Sequence, residues 1–203
     1  GLYAEHHWQW EQSYPVIRIS FDGGIEGYDD LSLALSDILT ALEERWRITN
    51  SLKTISGRFQ ALIQHCHETT GQKVVILIDE YDKPILQAIH NKELQSSDRN
   101  ILKAFYGVLK SKDAHLQFAL LTGVTKFSKV SVFSDLNNIE DITLIRDFAG
   151  LCGISAEELY ATLSTDIQEL AEAVGMSYED TCRRLKEQYD GYHFAERTSG
   201  MYN

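Results

Sequence analysis

The stretch KVVILIDEYDKP, residues 73–84, constrains the fold more than any other part of the chain. Its five apolar residues, 74–78, are too continuous for a sheet with one wet face, so they predict a strand buried on both faces of a parallel sheet. That strand runs directly into Asp79, Glu80 and Asp82. In open parallel α/β sheets ligands bind beyond the carboxyl ends of the strands, which is where these acids fall. The plain alternative is that Asp79 and Glu80 solvate a strand end while Asp82 caps a helix begun near Pro84. For Asp82 the capping role is preferred. Two adjacent acids after a buried strand are costly to desolvate unless something positive sits nearby, so Asp79 and Glu80 are read as functional.

The rest of the chain fits an alternating pattern. YPVIRISF, residues 14–21, is β-rich and ends at Asp22-Gly23-Gly24, a strand followed by a turn. Leu31, Leu35, Ile38, Leu42 and Trp46 recur at helical spacing behind Asp29 or Asp30 as N-cap. A second helix is predicted from about Thr54 to Gly71, a residue suited to a helix C-cap. Asp98 is expected to cap a helix carrying Ile101, Phe105 and Leu109. QFALLTGV, 117–124, is a further buried strand, TKFSKVSVFSDLNN is loop-like, and DITLI, 141–145, is a short strand candidate. Past Arg146 only helices are expected, near 155–163 and 177–189, opened by Ser155-x-x-Glu158 and Ser177-x-x-Asp180. The predicted architecture is an α/β core over residues 1–146, a parallel sheet with right-handed crossovers and helices on both faces, followed by a small all-helical, lid-like segment over 147–203.

Charge narrows the functional classes. Thirty acidic residues against 19 Lys and Arg give a net charge of -11, which disfavours a general nucleic-acid-binding surface. Cys66, Cys152 and Cys182 form no C-x-x-C pair, which argues against a disulfide framework or a zinc module; they are read as small buried hydrophobes in a reducing compartment. His65 and His67 lie two apart on a helix, do not share a face, and are expected to face solvent rather than a metal. No apolar stretch approaches the roughly 20 residues that span a bilayer, and GLYAEHHWQWEQSYP has no secretory character, so the expected location is the cytoplasm, away from membranes.

The chemistry implied by the acidic strand tip is nucleotide hydrolysis. One carboxylate there orients Mg2+ and its waters, and the next residue, pointing the other way, polarises the attacking water. Asp79 fits the first role and Glu80 the second. Thr122, at the end of the strand expected alongside, either holds that water and senses the terminal phosphate or is simply a strand-terminal threonine. Lys126 and Lys129 follow as lesser candidates for nucleotide contact.

VVILIDEYDKPIL, together with LLTGVTKFSKVSVFSDLNNIEDITL, LCGISAEEL and LKEQYDGYHF, resembles the bacterial AAA-ATPase-like family over nearly the whole chain. Members of that family often carry a C-terminal restriction-endonuclease-like domain. The resemblance implies a P-loop NTPase-like core in which Asp79 and Glu80 are the Walker B acids, with ATP and Mg2+ as substrate and cofactor. One large departure is visible. Gly-Lys occurs nowhere, so the G-x-x-x-x-G-K-[ST] cradle for phosphates is lacking, and no Asp or Glu stands two positions before a Lys, so a nuclease core of the (D/E)-x-K type is lacking as well.

The expectation is therefore an internal segment of a longer protein, inactive alone, holding the Walker B part of an ATPase that drives or gates an attached module. Nucleic acid would be met only through a domain outside this chain. The alternatives are a non-enzymatic protein-interaction domain on the same fold, and a metal nuclease using Asp79, Glu80 and Asp82. The resemblance also places the strand leading into the phosphate loop between 117–124 and 141–145. Without it, 117–124 should be completed by a strand from another chain, by collapse of its neighbour, or by rearrangement, with self-association or strand complementation as the consequence.

Overall fold

The computed structural model describes residues 10–22, 30–124, 132–133, 136–192 and 201–202, with 190–192 described by backbone alone. The chain divides into two compact units, Gly1–Ile139 and Glu140–Asn203, the division falling seven residues before the expected one.

In the first unit, β1 (Val16–Ser20), β2 (Val74–Asp79) and β3 (Leu116–Leu121) form a parallel sheet in the order β1-β2-β3. Four helices connect them: α1 (Leu31–Arg45), α2 (Ile55–Thr70), the short α3 (Lys83–Gln87) and α4 (Lys92–Ser111). Local chemistry explains their ends. The Asp30 carboxylate accepts the Ser32 N–H and opens α1, and the Thr54 hydroxyl accepts the Gly57 N–H and opens α2. Gly71, at φ 68°, closes α2 in the left-handed conformation that glycine adopts without strain. α4 begins seven residues earlier than expected, because Asn91 rather than Asp98 supplies the cap, to the Leu94 N–H. Asp98 lies inside α4, buried, and its carboxyl is pushed above the usual range by that burial and then by Asp30.

Burial alternates strictly along β2. Val74, Ile76 and Ile78 join Ile17 and Ile19 of β1 in one core with Leu35, Leu39, Phe59, Ile63, Phe105 and Leu109 from the helices. On the opposite face Val75 and Leu77 are only half-buried, and the two partners of Val75, Val16 and Phe118, are 37% and 53% exposed. The strand buried on both faces and the helices on both faces are thus corrected: among the described residues the helices share one core with one face of the sheet.

β3 starts one residue earlier and ends three earlier than predicted, and its pairing jumps from Val74↔Leu116 to Val75↔Phe118, leaving Gln117 as an extra residue. Among the described residues β3 pairs with β2 alone, and no strand of this chain completes its other side. The strand expected at 141–145 is not formed either. There the Asp141 carboxylate accepts the Thr143 N–H at 3.1 Å and the Ile142 carbonyl accepts the Ile145 N–H at 3.1 Å, turns that lead into a 3₁₀ segment at Arg146–Phe148.

The second unit holds α5 (Ala156–Thr162), α6 (Ser164–Val174) and α7 (Tyr178–Tyr189). Both predicted serine caps are formed: Ser155 accepts the Glu158 N–H while Glu158 accepts the Ser155 N–H, and Ser177 accepts the Asp180 N–H. The segment is not all-helical. β4 (Ile154–Ser155), β6 (Met201–Tyr202) and β5 (Asp190–Tyr192) make a small antiparallel sheet in that order. Tyr202 from its middle strand packs with Leu159 and Ile167, so the extended segments cover a helix core too small to close on itself.

The cysteines are all free, with Cys66 buried, Cys182 half-buried and Cys152 exposed, so burial as expected holds for Cys66, whose thiol desolvation pushes up to about 12. His65 and His67 are half-buried rather than solvent-facing; the His67 ring lies edge-on to His115, with its Nδ1 2.9 Å from the Gln72 carbonyl. No helix among the described residues is long and apolar enough to cross a membrane.

Candidate functional site

Asp79 is the last residue of β2, in register with Ser20 of β1, and the sheet continues past it on both sides. The Phe21 N–H donates to the Asp79 carbonyl at 3.1 Å, and the Thr122 N–H donates to the Ile78 carbonyl at 2.9 Å. This ladder fixes the side chains at the tip. The Thr122 hydroxyl donates to Asp79 Oδ1 at 2.7 Å across 43 residues of sequence, and the same oxygen accepts the Glu80 N–H at 3.1 Å. The sequence pairs Asp79 with Glu80 and sets Thr122 at the tip of the neighbouring strand, and the structure joins Thr122 to Asp79 directly. Lys126, with Ser128 and Lys129, lies outside the described residues.

Glu80 has φ 53°, a left-handed conformation that costs a non-glycine residue roughly 1–2 kcal/mol. Such strain persists only where the surroundings over-determine it. Three contacts do so here. The Tyr81 N–H donates to the Thr122 carbonyl at 3.0 Å, the Lys83 N–H donates to the Glu80 carbonyl at 3.0 Å, and the Tyr106 hydroxyl donates to the Tyr81 carbonyl at 2.9 Å. Tyr106 is fully buried against Phe105 and Phe133, and burial holds its hydroxyl far above the usual tyrosine range. The tight turn is therefore anchored from the core.

Asp82 occupies the N-cap position of α3 but makes no side-chain capping bond there, which corrects the capping role. It is 1% exposed, and its Oδ1 accepts the Val124 N–H at 3.3 Å, tying the chain after β3 to the β2–α3 turn. Gly123 permits that approach: a Cβ on it would lie 2.6 Å from Asp82 Oδ1 and 2.7 Å from the Tyr81 ring. Asp82 is thus a buried structural acid, and it does not join Asp79 and Glu80 in a metal cage.

Among the described residues no group of three or more His, Cys, Asp or Glu could hold a metal. Asp79 offers a single carboxylate, one oxygen of which already accepts from the Thr122 hydroxyl and the Glu80 N–H.

Two charged neighbours of the tip escaped the sequence reading. Lys83 Nζ lies 2.8 Å from Asp22 Oδ1 and 3.3 Å from Glu80 Oε2, and the Asp22 carboxylate, with Glu80 second, holds that ammonium above the ordinary lysine value. The signal for Lys83 was its place three residues after Glu80. Asp22, 61 residues upstream of Lys83, carried only a turn signal, with Gly23 and Gly24.

No solved structure matches the chain. A protein of Azotobacter chroococcum mcd 1, described as "Uncharacterized protein in vnfD 5'region", is 40% identical over 171 residues, covering 84% of this chain and 33% of that protein. The chain thus spans about a third of the length of the curated relative it matches. The family model described as "Predicted AAA-ATPase" (AAA-ATPase-like) matches residues 1–133, which takes in the sheet, the acidic tip and Thr122. The chain belongs to this predicted AAA-ATPase-like family.

Proposed function

We propose that the chain carries the metal-and-water half of an ATP-hydrolysing site on a P-loop NTPase-like core. The observation that carries this reading is the Thr122–Asp79 hydrogen bond at adjacent strand tips, with the strained Glu80 immediately beside it. A strand end needs only water to solvate its acids. A preorganised pair held by a turn anchored in the core is what orientation of a metal–nucleotide complex requires.

In this reading Asp79 binds Mg2+ or its waters, and Thr122 fixes the Asp79 carboxylate and contacts the terminal phosphate. Bound Mg2+ supplies neutralisation of charge on the phosphate oxygens. Glu80 takes the proton of the attacking water, and Lys126 contributes to nucleotide binding. The backbone cradle for the phosphates is not among these 203 residues, since no Gly-Lys occurs in them. In the whole protein, hydrolysis drives or gates an attached module, for which a nuclease domain is the reading, and the site of action is the cytoplasm.

A second reading, a non-enzymatic interaction domain on this fold, is favoured by one observation: among the described residues β3 is paired on one side alone, and its Phe118 is 53% exposed. ATP turnover separates the two. The full-length protein is expected to hydrolyse ATP, and the 203-residue chain alone is expected to show no turnover and at best weak nucleotide binding. Absence of turnover in the full-length protein would favour the interaction domain, and turnover by the chain alone, lost on Asp79→Ala, would overturn the division of the site.

A further inference from the structure

We propose that Lys83 is the positioning residue for Glu80, an inference that rests on the ATPase reading of the site. The Lys83 ammonium sits between two carboxylates, 2.8 Å from Asp22 Oδ1 and 3.3 Å from Glu80 Oε2. Only Oε2 of Glu80 is engaged; Oε1 has no partner among the described residues, and it is the oxygen available to a water. A base held through one oxygen by a third group, with the other oxygen presented to the proton it must take, is the general arrangement of an oriented catalytic base.

The bland alternative is a surface ion pair, and such pairs are worth little. Three features set this one apart. The Lys83 side chain is only 20% exposed, so the long stem is packed and its ordering is already supplied by the fold. Its backbone is fixed in the same turn as Glu80 by the N–H to the Glu80 carbonyl and by Pro84 in the first turn of α3. Finally, Asp22 stands at the end of β1, where the Asp22 N–H donates to Ser20 Oγ at 3.2 Å, so Lys83 links the tips of two neighbouring strands through the Glu80 carboxylate.

The ammonium is shared between Asp22 and Glu80, and its 3.3 Å contact with Oε2 restricts the Glu80 rotamers. Lys83 then acts on geometry, and its effect should travel entirely through Glu80.

The test is a double-mutant cycle in the full-length protein with ATP and Mg2+. Lys83→Met should lower kcat on the order of tenfold to 10²-fold, the scale of a misplaced catalytic group, with KM for ATP unchanged. Lys83→Arg should recover most of the rate. Lys83→Gln, which keeps a polar head of similar reach, should fall with Lys83→Met and serves if the methionine variant does not fold. In the Glu80→Gln background, Lys83→Met should cost nothing further, because the group it positions is gone. A merely structural lysine would lower the melting temperature and reduce the rate in both backgrounds alike. If Glu80→Gln abolishes turnover while Lys83→Met and Lys83→Gln keep kcat within about twofold, or if the two losses multiply, the role of Lys83 is overturned and the ATPase reading stands. If Glu80→Gln turns over at the parent rate, or the parent has no turnover, that reading falls and the role of Lys83 falls with it.

Discussion

Replacing Glu80 with glutamine in the full-length protein is expected to leave ATP bound and to slow its hydrolysis by about 10²-fold or more, the usual cost of losing one positioned base. The amide keeps the size of the side chain and leaves Asp79 with its Thr122 partner, so the metal-binding carboxylate is undisturbed. The backbone of residue 80 is held through Tyr81, Thr122 and Tyr106, none of which depends on the carboxylate. Lys83 retains Asp22 at 2.8 Å. The loss should therefore appear in kcat rather than in nucleotide affinity, read by steady-state turnover alongside equilibrium ATP binding. Turnover at the parent rate would show that Glu80 is not the base.

The largest effect on stability is expected at Arg58. Its guanidinium, 11% exposed, donates to both oxygens of Glu43 at 3.0 and 2.7 Å, to Ser36 Oγ at 2.8 Å and to Thr40 Oγ1 at 2.8 Å, stapling α2 to α1. Glu43, 13% exposed, also accepts from Asn50 at 2.9 Å. Arg58→Ala strands that carboxylate in a largely dry site, and breaking a buried pair on one side costs about 3–5 kcal/mol, a large share of a typical domain's stability. Urea unfolding of the chain should show this as a lower midpoint at unchanged slope, and a loss under about 1 kcal/mol would mean the pair acts as a surface one.

The pH dependence has a definite sign. Hydrogen bonding to Arg58, and then to Asn50, holds the Glu43 carboxyl below its ordinary value of 4.5, while the Arg58 guanidinium is held above its ordinary value chiefly by the hydrogen bond to Glu43 and stays charged. An acid whose folded value is depressed stabilises the fold fully above its unfolded value and loses that contribution as pH falls through the folded one. The contribution of Glu43 is thus present at neutral pH and vanishes in the acid range below about 4.5. Glu43→Gln should flatten that part of the stability profile.

The elements that sequence made legible are those whose signals are local. β2 announced itself by Val, Ile and Leu cut off by acids, and Asp30, Thr54, Gly71, Ser155 and Ser177 marked helix ends because a cap is a contact within four residues. Where two local signals competed, the weaker one was read. DITLI has β-forming residues, but the Asp141 side chain closes a turn onto Thr143 before a ladder can form. Asn91 outcompetes Asp98 as a cap because the helical pattern already holds from Lys92. α6 was not predicted at all, since it starts from Leu163 with no side-chain cap.

Burial on one or both faces of β2 was illegible for a different reason. Five apolar residues in a row read alike whether the second face is dry or half-wet. At the site, Asp79 and Glu80 could be named from their place at a strand tip. The Asp22–Lys83–Glu80 cluster could not, because it exists only once β1 and β2 lie side by side.

The central claim is that Asp79 is the residue through which a metal–nucleotide complex is held, and ATP affinity of the full-length protein measured with Mg2+ and with a chelator tests it most directly. The parent protein should bind ATP more tightly with Mg2+, and Asp79→Ala should abolish that difference while the chain stays folded, since the Asp79 side chain is only half-buried and lies outside the apolar core. An Mg2+ enhancement in Asp79→Ala as large as in the parent would contradict the account.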